Sequence, residues 1–164
     1  MSIYLKWAGA VVIMLCALFF GKEYSAYVQK RLSQFRGFVA FIEHIQGMIS
    51  RFLAPQESLW QNFSDNALED CGFLPTLRSG SALSEAFGAC ESSLLLSDEQ
   101  KTRLSDFFAD FGREYMAGEL TRASDFHKEL EQSLKKEEAE LEKSLKITNA
   151  ILIAGTLGIV ILII

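Results

Sequence analysis

Residues 28–53 read VQKRLSQFRGFVAFIEHIQGMISRFL. Apolar side chains fall at Val28, Leu32, Phe35, Val39, Ile42, Ile49 and Leu53, with Gln46 in the one missing place, which is a heptad seam of alternating four and three steps. Phe38, Ile45 and Phe52 recur every seven residues beside that seam. The apolar stripe is therefore wide, as in a helix packed against more than one neighbour rather than in a lone two-stranded coil. No breaker lies between Gly21 and Leu53, so the same helix should extend back toward the N-terminus. The fold class this implies is all-α, an antiparallel helical bundle built on a long first helix.

Working outward, Pro55 should stop that helix and open the next, because its ring is excluded from a helix interior but suits a first turn. Leu59, Trp60, Phe63, Ala67 and Leu68 keep one face of a second helix apolar, with Gly72 as its left-handed terminator. Leu74-Pro75 and Ser79-Gly80-Ser81 read as loop. Ser81 is placed to cap a third helix that buries Leu83, Ala86, Phe87, Cys90 and Leu94. Ser97 with Gln100 forms a capping box for a fourth helix, along which Leu104, Phe107, Phe108, Phe111 and Tyr115 follow at helical intervals. From Gly118 to Lys146 the surface turns strongly charged, and only Leu120, Phe126, Leu130, Leu134, Leu141 and Leu145 make a narrow stripe. Glu131 with Lys135 and Glu142 with Lys146 stand at the favourable four-residue spacing.

Both ends of the chain are apolar. Ile147–Ile164 reads ITNAILIAGTLGIVILII without an ionisable side chain and would span roughly 27 Å as a helix, close to the hydrocarbon thickness of a bilayer. Trp7–Gly21 with Ile3–Leu5 is of similar length if Lys6 extends its ammonium outward along its stem. A secretory leader is disfavoured, because the one Ala-x-Ala pair, Ala8 and Ala10, lies inside the apolar run. Lipid attachment at Cys16 is disfavoured by Leu15 before it. The expected organisation is thus a transmembrane helix at 1–21, a cytoplasmic bundle at 22–146 and a transmembrane helix at 147–164, in contact with membrane lipid. Lys22, Lys30, Arg31 and Arg36 after the first stretch, and Lys135, Lys136, Lys143 and Lys146 before the second, put the middle segment on the cytoplasmic side. Small residues at four-residue spacing, Ala17 with Gly21 and Ala150, Ala154 with Gly158, are notches through which helices approach closely. Their partner is either the other terminal helix or a neighbouring protein.

Chemistry is hard to find in this chain. Cys16, Cys71 and Cys90 form no CxxC knuckle or disulfide framework, and their spacing suits small buried apolar residues in a reducing compartment. His44 and His127 are lone. There is no phosphate-binding glycine loop and no nucleophile with a base in view, and Glu137, Glu138 and Glu140 read as a solvated helix face. No residue is assigned a catalytic, metal-binding or cofactor-binding role, and the expected protein is not an enzyme. A net charge of −5 over a mixed surface excludes a basic nucleic-acid-binding stripe.

As a whole the chain resembles the stage III sporulation protein AB family. The resemblance is carried by Lys6-x-x-Gly9-Ala10-Val11, the amphipathic helix from Arg31 to Ile49 with Glu43 and Ile45 in its periodic core, and Ala54-Pro55 followed by Leu59. Phe111-Gly112 and the terminal glycines Gly155 and Gly158 complete it. One departure is Arg113 to Gly118, where the family usually has a short turn. The resemblance implies a helical domain similar to the cytoplasmic domain of type II secretion platform proteins. It further implies a place in the sporulation channel complex between mother cell and forespore, in the mother-cell membrane. Implied partners are other stage III sporulation channel proteins, including the cytoplasmic ATPase stage III sporulation protein AA; separately, the narrow leucine stripe of Gly118 to Lys146 leaves a seam for the first long helix or for another protomer of a homo-oligomer. Two rival readings remain: a membrane-anchored coiled-coil scaffold or sensor unrelated to sporulation secretion, and a small-molecule-binding bundle.

Overall fold

The computed structural model describes residues 3–52, 60–112 and 116–163. Six α-helices follow in order: α1 (Ile3–Phe52), α2 (Asn66–Asp70), α3 (Phe73–Arg78), α4 (Leu83–Cys90), α5 (Asp98–Asp110) and α6 (Met116–Ile163). A 3₁₀ turn at Glu91–Ser93 extends α4. Among the described residues no strand occurs. Expectations at Leu53, Pro55 and Leu59, and the departure at 113–115, fall outside the described residues. The chain divides into two compact units, Met1–Gln29 with Lys136–Ile164, and Lys30–Lys135.

In the unit Lys30–Lys135, α1 supplies the wall on which the short helices pack, and the start of α6 lies against α5. Helices of five, six and eight residues are too short to persist on their own, so their order must come from tertiary burial. That burial is aromatic. Phe38 of α1 meets the rings of Phe73, Phe87 and Phe108 at centroid distances of 5.1, 5.7 and 6.2 Å. Phe41, one turn on, meets Phe73 edge-on at 5.2 Å, and Phe73 stacks on Phe108 at 5.6 Å. One residue from each of α3, α4 and α5 is thus fixed on the same turn of α1, in the offset and edge-to-face geometries that aromatic pairs favour.

Two contacts set the approach of the short helices. Asp65 caps α2 by accepting from the Leu68 N–H at 3.0 Å. It sits directly over Gly37, where an added Cβ would lie 2.7 Å from Asp65 Oδ1 and 3.0 Å from Leu68 Cγ. Gln34 is buried on the same face of α1; its Oε1 accepts from the Leu95 N–H at 2.8 Å, and its Nε2 reaches the Ser93 carbonyl oxygen at 3.5 Å. Gln34 thereby ties the loop entering α5 to α1 through two of its peptide groups.

Several sequence expectations meet the structure directly. Val28, Phe35, Val39, Ile42, Ile49, Leu104, Phe107 and Phe108 are buried, while Leu32 and Phe111 are half-buried. The Ser97 capping box is present, with Gln100 N–H donating to Ser97 Oγ and Ser97 N–H to Gln100 Oε1. Gly72 takes the left-handed conformation at φ +88°. The segment read as a loop from Leu74 instead forms α3, with Pro75 tolerated in its first turn and Phe73, Leu74 and Leu77 buried. The cap of α4 is Ala82 rather than Ser81, and Glu85 Oε2 accepts from the Ala82 N–H at 3.3 Å.

The expectation of a bundle flanked by two transmembrane helices is corrected. Among the described residues no helix is long and apolar enough to cross a membrane. Apolar length had suggested otherwise, yet both stretches carry polar groups. Lys6 lies within the first, with Lys22 and Glu23 directly after it, and Thr148, Asn149 and Thr156 lie within the second. The Thr156 hydroxyl bonds back to the Leu152 carbonyl at 2.7 Å. The two-span location in a cell membrane, at the mother-cell face, falls with it.

Phe38→Ala should destabilise the fold by about 3–5 kcal/mol, since it opens a cavity shared by three other rings. Gly37→Ala sets helix propensity, about 1 kcal/mol in its favour, against overpacking of about 1–3 kcal/mol and loss of the Asp65 cap, about 1 kcal/mol. The net expectation is destabilisation of about 1–3 kcal/mol, and urea unfolding followed by circular dichroism measures both; a more stable Gly37→Ala protein would refute the close approach.

Candidate functional site

The junction between α5 and α6 is the most elaborately bonded surface of the Lys30–Lys135 unit. The last four carbonyls of a helix lack intrahelical partners, and Arg122 of α6 reaches two of those at the end of α5. Its Nη2 donates to the Phe107 carbonyl oxygen at 3.2 Å and its Nη1 to that of Asp110 at 3.4 Å. The guanidinium also lies 5.6 Å from the centroid of the Phe107 ring, which stacks on Phe126 of α6 at 4.4 Å and 11°. A cation at a helix C-terminus is favourable, so one side chain combines dipole, hydrogen bonds and ring face. Beyond α5, Gly112 at φ +86° ends the helix, and its N–H donates to the buried Glu119 carboxylate at 2.9 Å.

Along the outside of this junction runs a charged ridge. Arg103 of α5 bonds Glu99 at 2.8 Å within its own helix and Glu129 of α6 across the groove. Further along α6, Lys135 donates to Glu131 at 2.7 Å, and this hydrogen bond and its positive charge hold the Glu131 carboxyl below the usual carboxylate range. Lys146 does the same to Glu142 in the other unit. All of these side chains are largely exposed. Such pairs add little stability in water, so the ridge is better suited to meeting another charged surface than to holding the fold.

A cleft of about 650 Å³ lies beside Glu43, His44, Gly47 and Phe63. Its size falls in the range of small-molecule sites, about 300–1,000 Å³, but its chemistry is thin. The His44 ring packs against Phe63 at 5.2 Å, and its Nε2 is buried without a hydrogen-bond partner among the described residues. A general base needs a group that orients it, and among the described residues none is bonded to this Nε2. Among the described residues no three His, Cys, Asp or Glu side chains are grouped to hold a metal ion.

In the unit Met1–Gln29 with Lys136–Ile164, the two helices meet at Gly21, where an added Cβ would lie 3.1 Å from Leu152 Cδ1. Gly21, Ser25 and Val28 turn inward on α1, and Leu145, Thr148, Leu152 and Thr156 are among the half-buried positions of α6. Ala150, Ala154 and Gly158 are exposed, on the other side of α6 from Leu152; the surroundings of Ala17 lie outside what the structure describes. The inward positions could have been read by carrying the four-three spacing of Val28 and Leu32 backwards to Ser25 and Gly21. Cys71 and Cys90, both buried, are brought together from the ends of α2 and α4, where Ser93 Oγ reaches both of their carbonyl oxygens, and nothing in their sequence spacing signals it.

These features define an all-helical protein with an aromatic core, a charged ridge at the α5–α6 junction and a glycine-mediated helix contact. The chain belongs to the stage III sporulation protein AB family, whose family model matches residues 6–164. It is therefore a stage III sporulation protein, and the resemblance carried by its motifs extends over almost the whole chain. No curated protein and no solved structure matches it.

Arg122→Met keeps the apolar stem but removes both carbonyl bonds and the charge. The expected loss is about 1–3 kcal/mol in urea unfolding, and Arg122→Lys should recover only part of it because an ammonium lacks the planar fork.

Proposed function

We propose that this protein is a non-enzymatic platform of the sporulation channel complex that couples the cytoplasmic secretion-type ATPase, stage III sporulation protein AA, to the rest of that assembly. The observation that carries this reading is the charged ridge. It runs along α5 and the first half of α6 on a bundle made rigid by a ring cluster, and its ion pairs are too exposed to be needed for folding. A surface of paired charges on a stiff support favours fast, selective docking of a complementary partner, because electrostatic matching raises association rate and rejects wrong registers. The weak chemistry of the His44 cleft supports a role in assembly rather than turnover. Partners in this reading are the ATPase and other stage III channel proteins, with self-association through the terminal helices as a further element.

The test is co-purification of the full chain with the ATPase. Lys128, also on α6, is an exposed cation paired with Asp125 at 3.5 Å; Lys128→Glu and Lys135→Glu together with Glu129→Lys should reduce recovered complex at least tenfold while leaving helical content unchanged. The loss should shrink when the salt of the wild-type assay is raised, since screening weakens the same contacts in the unaltered protein. Absence of any complex with the wild-type chain, or full recovery with the reversed ridge, overturns the platform reading.

A further inference from the structure

Cys71 caps the C-terminal end of α2 and Cys90 is the last residue of α4. Ser93 ties their backbones together, its Oγ lying 2.7 Å from the Cys90 carbonyl oxygen and 3.1 Å from that of Cys71. The sulfurs meet in the same place. Cys71 Sγ lies 3.4 Å from the Leu68 carbonyl oxygen, and the Cys90 thiol has two acceptors in reach, the Phe87 carbonyl oxygen at 3.2 Å and the Cys71 sulfur. Cys71 keeps 9% of its surface exposed and Cys90 2%, so a small reagent reaches Cys71 first. A thiolate is the reactive form of cysteine, and an adjacent thiol donor favours it.

We propose that Cys71 and Cys90 are a redox-modifiable pair, which a small peroxide converts to an intramolecular disulfide joining the end of α2 to the end of α4. The Cys90 thiol, donating to the Cys71 sulfur, brings Cys71 down to about 7 against the opposing effects of burial and the Asp65 charge. Cys90 is pushed up by the same hydrogen bond, by burial and by the negative charge of Glu91, so the pair loses its first proton at Cys71. The Cys71 thiolate then attacks one oxygen of hydrogen peroxide. The O–O bond breaks, hydroxide leaves and takes up a proton as water, and Cys71 becomes the sulfenic acid. Next the Cys90 sulfur attacks the sulfenic sulfur; the S–O bond breaks and the hydroxyl departs with the Cys90 proton as a second water. Two thiols lose two electrons in all, and one peroxide is reduced to two waters. The product closes a ring around α3, the helix that carries Phe73 into the aromatic cluster, and a thiol reductant reopens it.

The experiment exposes the reduced full-length chain to hydrogen peroxide, unfolds it, alkylates the remaining thiols and identifies linked peptides by mass spectrometry. Folded wild-type protein should give the Cys71–Cys90 linkage at least ten times faster than the same chain in urea. Cys90→Ser should accumulate a sulfenic acid at Cys71 that dimedone labels, while Cys71→Ser should leave Cys90 unlabelled; serine preserves size, and circular dichroism checks that both variants fold. The proposal is overturned if wild-type protein forms no such linkage, if it forms equally fast in urea, or if Cys90 in Cys71→Ser is labelled as strongly as Cys71 in Cys90→Ser.

Discussion

The fold depends on one turn of α1. Phe38 and Phe41 stand where rings from α3 and α5 converge, and Phe38 also takes the ring from α4. Of the helices they gather, α3 and α4 have six and eight residues, well below the length at which a helix is stable in water, so their secondary structure is a consequence of packing rather than a prior condition for it. Folding of the Lys30–Lys135 unit is accordingly cooperative in a strong sense. Remove the shared rings and the short helices lose the only large source of free energy available to them, since the net value of their few hydrogen bonds is small.

That dependence explains what could be read from sequence and what could not. The seam of α1 is legible because a long helix repeats its pattern many times, and Phe35, Ile42 and Ile49 are buried where the spacing puts them. Ser97 with Gln100 is legible because a capping box is local. By contrast α3 spans only Phe73–Arg78, begins after a positive-φ glycine and contains Pro75, so every local signal says turn. Its helix exists because Phe73, Leu74 and Leu77 all find burial, which is a tertiary fact. Gln34 was invisible for the same reason: a polar residue next to a heptad seam becomes a buried clamp only once the Ser93–Leu95 loop lies across it.

The small residues of the two terminal helices divide between two faces: Gly21 lies at the contact and the stripe on α6 does not. Ala150, Ala154 and Gly158 line up at four-residue intervals, yet the contact at Gly21 is made by Leu152, on another side of α6. A stripe of small side chains permits close approach but does not drive it, whereas a leucine beside a glycine gains contact surface from the pairing. The functional surface was half legible. Glu131 and Lys135 announce their pairing by spacing, but Arg103 to Glu129 and Arg122 to the end of α5 require knowing that α5 and α6 lie side by side.

The division of labour between core and ridge bears on how a platform could work. Apolar packing is non-directional and strong in sum, so it suits holding a bundle together; surface ion pairs are directional and weak, so they are easily exchanged for pairs with another protein. In this unit the two kinds of contact touch at Phe107, whose ring stacks on Phe126 and lies 5.6 Å from the Arg122 guanidinium. A partner that drew on the charges near Arg122 would act on the residue that closes the last carbonyls of α5, and through Phe107 on its neighbour Phe108 in the central cluster. Arg122, Phe107 and Phe108 thus make a contiguous chain of contacts from the α5–α6 surface to Phe38 on α1, a physical route by which a change at that surface would reach the core.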